Sequence, residues 1–175
     1  YGVKSVNEVF KKNILLNLAY LDGSVTEKSQ IDWDKVLAFS GYRFTLEPGE
    51  TFAYHEAVLS TYKDKVVETT KAQFNASDGF VSDGYLYGDG VCHLASLVNW
   101  AAQDAGLEVT VTKNHNFAPI PEVPKEYGVS IYVNPQDANL SANRNLYITN
   151  NKEQAVSFEF KYENGVLSVA VAEVS

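Results

Sequence analysis

Internal disulfide chemistry is closed to this chain, because its only cysteine is Cys92. One thiol cannot bridge to itself, so the cross-linked framework of small secreted domains is missing and the redox compartment stays open. Methionine is absent altogether, even from position 1, which points to a processed or excised polypeptide whose export signal would have lain upstream. Positive charge is scarce: 14 Lys and Arg stand against 22 Asp and Glu, for a formal net charge of -8. That balance argues against nucleic acid, whose binders carry basic stripes, and against polybasic contact with a lipid surface. No apolar run reaches transmembrane length and no signal peptide is present. Three scattered histidines, His55, His93 and His115, give none of the paired spacings that mark zinc sites, so neither metal nor cofactor is expected.

What is present suits one folded domain. The chain has 175 residues, of which 45% are hydrophobic, enough to bury a core. The spacing predicts a helix over residues 5–21, with Val6, Phe10, Ile14, Leu18 and Leu21 turned inward and capping-box spacing from Ser5 to Glu8. A short helical turn is expected from Asp32 to Leu37. These form an N-terminal helical segment, residues 1–41, packed with the remainder, 42–175, as one domain. From Tyr42 the pattern turns extended, through Arg43–Leu46, a turn at Glu47-Pro48-Gly49-Glu50, and Thr51–Tyr54. Residues 63–76 are polar and fit either a strand or a short helix. Later, Leu107–Thr112, Gly128–Val133, Asn145–Thr149, Ala155–Tyr162 and Val166–Glu173 read as strands. The last two are joined by Asn164-Gly165, a strong hairpin signal. Helices early and strands late predict an α+β fold, with an N-terminal and a central helix on a mostly antiparallel sheet.

The central helix carries the candidate chemistry. Tyr87-Gly88-Asp89-Gly90-Val91-Cys92 reads as a glycine-rich turn opening into a helix that ends near Gly106. At about 100° per residue, Leu94, Leu97, Val98, Ala101 and Ala105 share one stripe. Cys92, Ser96, Asn99 and Gln103 fall on the opposite one. A thiol off the apolar face and at a helix N-terminus should ionise easily and act as a nucleophile; the competing reading is a free cysteine that simply fills space. His93 is a poor base, since helix neighbours diverge by about 100°, and His55 carries no mark of chemistry. His115 follows the strand Leu107–Thr112, which would return it toward the helix N-terminus, so it is the better base, the rival reading being a loop histidine bonded to backbone. Asp137, by pattern alone, is a turn aspartate.

Four ordered pieces of the chain carry a family resemblance: Leu46–Tyr54, Gly88–Cys92, Ala105–Val109 with Asn114-His115-Asn116, and Tyr132–Ala138. Their order and spacing resemble VanW-domain proteins over roughly residues 42–162. The family usually has glutamine where this chain has His93, keeps more small hydroxyl residues where only Ser96 stands here, and has a shorter, less proline-rich stretch between His115 and Tyr132. The resemblance implies an extracytoplasmic bacterial protein of the cell envelope. It also implies a cysteine L,D-transpeptidase activity on peptidoglycan stem peptides, or a papain-like wall peptidase with the same residues. In that scheme Cys92 forms a thioester, His115 takes its proton and Asp137 orients His115. Gly90, His93, Ser96 and Asn114 surround oxyanion and substrate. The alternative is a non-catalytic peptidoglycan-binding or scaffolding module, for which the 11 tyrosines offer stacking surfaces.

Overall fold

A tight reversal lies at Asn164 and Gly165, whose φ values of +52° and +78° are the left-handed pair that a two-residue hairpin requires. In the computed structural model, which describes residues 1–84 and 88–175, this turn joins β6 (Val156–Glu163) to β7 (Val166–Glu173). β6 also pairs antiparallel with β1 (Gly41–Leu46), giving a three-stranded sheet β1-β6-β7. A second sheet has the order β3-β2-β5-β4, with β2 (Thr51–Ala53), β3 (Val66–Glu68), β4 (Glu108–Val111) and β5 (Leu146–Thr149). Its β2–β3 pair is parallel and its other pairs are antiparallel. The α+β class holds, but the single sheet expected from sequence is two. The chain crosses between them at Glu47–Glu50, where Glu50 N–H bonds the Glu47 carbonyl at 3.0 Å.

Aromatic packing fastens the two sheets together. Phe44 of β1 stacks on Phe158 of β6 at 4.8 Å and on Phe52 of β2 at 5.3 Å. Alternation along β6 buries Val156, Phe158 and Phe160, as period-two patterning requires when one face is covered.

The first helix, α1, spans Lys4–Leu21. Val3 is its N-cap, without a side-chain hydrogen bond, so the Ser5–Glu8 capping box does not form. Val6, Phe10 and Ile14 are only half-buried. From Asn13 onward, apart from Ile14, every residue to Leu21 is buried: this half is enclosed on all sides, where a single stripe no longer describes a helix. The short helix α2 (Trp33–Leu37) forms as expected, its cap Asp32 accepting from the Asp34 and Lys35 amides. Residues 63–76 contain β3 but no α-helix. Gly128–Val133 forms no strand; its one ladder contact is an isolated bridge between Asn114 and Val129.

The third helix, α3 (Val91–Asp104), packs against α1 and against strands of both sheets. Its start is fixed by Gly90, at φ +99°, where a Cβ would meet the Phe10 carbonyl oxygen of α1 at 2.9 Å. Asn13 clamps the loop before it, donating to the Val81 and Asp89 carbonyls at 2.9 and 2.8 Å while accepting from Val81 N–H. Tyr87, the first residue of the expected turn, lies outside the described residues. The helix ends as Gly106 turns left-handed at φ +71°.

Candidate functional site

Cys92 is the second residue of α3, but its surroundings differ from the expected open, electropositive mouth. The residue is half-buried and packs against the hydrophobic core. Its Sγ accepts from Ile131 N–H at 3.4 Å and lies 3.8 Å from the Ile131 carbonyl, to which the thiol donates. Burial pushes the thiol pKa up; the Ile131 hydrogen bond opposes this, and the Asp89 carboxylate adds to the rise. The helix N-terminus therefore does not yield an easily ionised thiol, because loss of water disfavours the anion more than the local dipoles favour it.

The face expected to look away from the core is covered over Ser96 and Asn99, with Gln103 exposed at its end. Ser96 and Asn99 are 0% exposed. Ser96 Oγ donates to the Cys92 carbonyl at 2.7 Å and accepts from Val129 N–H at 2.9 Å; Asn99 Nδ2 donates to the Tyr127 carbonyl at 2.9 Å. The segment 127–131 thus runs antiparallel along α3, meeting Asn99, then Ser96, then Cys92. Its other edge pairs with residues 113–115, through Ser130 N–H to the Lys113 carbonyl at 2.8 Å and His115 N–H to the Gly128 carbonyl at 3.1 Å.

This ribbon fixes where His115 lies. It is opposite Gly128, three residues of extended chain from Ile131, or about 10 Å along the ribbon from the level of the sulfur. Its Nδ1 lies 3.0 Å from the Ala118 carbonyl; a carbonyl only accepts, so in the neutral ring Nδ1 carries the hydrogen. The ring packs on Phe117 with centroids 4.0 Å apart. His115 thus follows β4 into the ribbon on the edge that faces away from α3, at the Ser96–Asn99 level rather than opposite Cys92.

Asp137 is the N-cap of α4 (Ala138–Ala142), its Oδ1 accepting from Leu140 N–H at 2.8 Å. That bond occupies the carboxylate locally, and no hydrogen bond or ion pair among the described residues joins Cys92, His115 and Asp137. Of the expected substrate-side residues, Gly90 packs against α1 and Ser96 is consumed by main-chain bonds. Asn114 is exposed and bridges Val129. His93 turns to a separate groove lined by Phe10, Ile14 and Glu122; burial pushes its pKa down, with Glu122 opposing.

An open concavity surrounds His115. It is a cleft of about 230 Å³ lined by His115, Asn116, Phe117, Pro119, Pro124 and Lys125 among others, and Phe117 is 73% exposed at its edge. Among the described residues, no group of three or more His, Cys, Asp or Glu side chains could hold a metal ion. Residues that pattern reading passed over include Asn13, which clamps the loop before α3, and Tyr54, buried, with its hydroxyl bonded to Asn17 Oδ1 and, at 3.2 Å, to the Val91 carbonyl. A buried asparagine on an otherwise apolar helix stretch was the available signal for Asn13.

The fold and site define an α+β domain built on a glycine-capped helix with a cysteine in its first turn. A family model described as VanW like protein matches residues 40–172, most of the chain, and the chain belongs to the VanW family. No curated protein and no solved structure matches it. No helix among the described residues is long and apolar enough to cross a membrane.

Proposed function

We propose that this VanW domain works at the cell envelope, outside the cytoplasm, as a module that binds peptidoglycan without forming a covalent intermediate. The observation that carries the reading is the contrast between a thiol enclosed by the Ile131 main chain and raised in pKa by burial, and an open cleft around His115. Phe117 offers an exposed aromatic face of the kind that packs on sugar C–H groups or peptide side chains. Lys125, in a chain of net charge -8, offers a cation to stem-peptide carboxylates. Ligand sites commonly combine such apolar walls with a few placed polar groups.

A second reading is supported by a specific contact. Ile131 N–H donates to Sγ, and Cys92 sits in the first turn of α3, where helix dipole and hydrogen bond both favour a thiolate. On that reading the domain is a cysteine acyltransferase acting on stem peptides. His115 moves along α3 to take the Cys92 proton, Asp137 leaves its cap to orient the ring, and the thiolate attacks a stem-peptide carbonyl; the amide C–N bond breaks, the terminal D-alanine leaves as the amine with the proton from His115, and the acyl group stays on Cys92 as a thioester.

One set of measurements separates the two. The binding reading expects purified peptidoglycan sacculi to retain the Cys92→Ala variant as well as the parent, and to lose Phe117→Ala. It also expects the iodoacetamide rate at Cys92 to stay slow at neutral pH and to keep climbing above pH 9. A mass increase on Cys92 after incubation with a tetrapeptide muropeptide, or full retention of Phe117→Ala, overturns it.

A further inference from the structure

His55 is 1% exposed, and its Nε2 lies 3.1 Å from the Arg144 carbonyl. Because that oxygen can only accept, Nε2 carries the hydrogen and Nδ1 is left with a lone pair. Nδ1 is buried and has no hydrogen-bond partner among the described residues. The residue cannot readily turn away to find one. Asn145 grips its main chain from both sides, accepting from His55 N–H at 3.1 Å and donating to its carbonyl at 3.0 Å. The ring also meets Phe74 edge-on at 6.2 Å. A buried acceptor without a donor destabilises the fold, so an unused one held this firmly needs a reason.

His55 lies on the lining of a cleft of about 180 Å³ whose walls include Ala72, Val133 and Pro135, with Glu56 and Gln73 also on the lining. Glu56 is exposed and makes no ion pair among the described residues. The volume is below the range of about 300–1,000 Å³ usual for pockets that hold drug-sized ligands, so it suits a side-chain-sized group. Burial pushes His55 down to about 4, so the lone pair persists at neutral pH. A neutral acceptor, apolar walls and an unpaired carboxylate together match a donor-bearing cation on a short aliphatic stem.

We propose that this cleft binds a primary ammonium group, one N–H donating to His55 Nδ1 and the Glu56 carboxylate balancing the charge. The site shares no lining residue with the His115 cleft, and it stands or falls without reference to peptidoglycan. The ammonium belongs either to a free small amine or to a lysine-like side chain on a peptide, and these are separated by the ligand chosen.

The test is NMR titration of the 15N-labelled chain, following the His55 Nδ1 resonance with n-butylamine, with an acetyl-Ala-Lys-Ala-amide peptide, and with butyltrimethylammonium. The expected result is a saturable shift of Nδ1 toward hydrogen-bonded values with one or both primary amines, and none with the trimethyl compound, which has the charge but no N–H. A response to n-butylamine alone assigns a free amine, and a response to the peptide assigns a lysine-like side chain. Glu56→Gln, a change at an exposed position, should weaken the response about threefold, the scale of a partly exposed ion pair. No shift with either amine, an equal shift with the trimethyl compound, or unchanged affinity in Glu56→Gln overturns the proposal.

Discussion

Replacing Ser96 by alanine isolates the joint that seals Cys92. Ser96 Oγ bridges the Cys92 carbonyl and the Val129 amide at 2.7 and 2.9 Å, and the residue is fully buried. The Cys92 carbonyl keeps its helical partner, the Ser96 amide, so truncation leaves one group stranded: the Val129 N–H, on a residue that is 0% exposed. A buried donor left without a partner costs about 1–3 kcal/mol. A central value of about 2 kcal/mol is about a 30-fold fall in the ratio of folded to unfolded chain. With a urea slope of about 2 kcal/mol per M, the unfolding midpoint should drop by about 1 M. Equilibrium urea unfolding followed by tryptophan fluorescence reads this directly. Hydrogen exchange at Val129 should also quicken more than at amides of β6, since the opening is local. With the 127–131 segment loosened from α3, iodoacetamide should reach Cys92 faster. A midpoint shift below about 0.3 M, or unchanged exchange at Val129, would refute the claim that the Ser96 bridge is a main fastening of this segment to the helix.

Three further outcomes follow from the same structure. Asp137→Ala should cost about 1 kcal/mol through loss of the α4 cap and leave Cys92 alkylation unchanged; a large drop in alkylation at unchanged stability would instead place Asp137 in the nucleophile's machinery. The fold should lose stability as pH falls from about 6.5 toward 4, because His55 is held neutral, at about 4 against its ordinary 6.5, while the unfolded chain takes up the proton. The loss approaches about 3 kcal/mol near pH 4, and the pH dependence of the urea midpoint should be shallower by that amount in His55→Gln; parallel profiles would refute the assignment. Gly90→Ala should destabilise by more than about 2 kcal/mol, combining an unfavourable positive φ with a Cβ 2.9 Å from the Phe10 carbonyl oxygen; a loss under about 1 kcal/mol in the same unfolding assay would contradict that contact.

Local pattern was legible wherever local physics decides. The Asn164-Gly165 turn and the two strands flanking it, the bounds of α3 between Gly90 and Gly106, and the short helix α2 all rest on backbone preferences of a few adjacent residues. The family resemblance, carried by four short ordered pieces, was legible for the same reason and is matched across residues 40–172. The split into two sheets was not legible, because it depends on β1 and β2 choosing different partners across a four-residue turn, and on Phe44, Phe52 and Phe158 stacking between the sheets.

The reading of Cys92 shows the same division. Sequence alone placed it in the first turn of a helix and off the apolar stripe, since both depend on spacing along one element. Whether that stripe is open to water depends on another part of the chain, and residues 127–131 cover it with main-chain groups bonded to Asn99, Ser96 and Cys92. That segment has almost no ladder of its own, so its periodicity reads as a strand while its position is set by side chains of α3. Tertiary packing thus decided the desolvation of the thiol and the displacement of His115 along the ribbon, because both are fixed by contacts between segments distant in the chain, whereas Asp137 caps α4 through a local bond from Leu140 N–H.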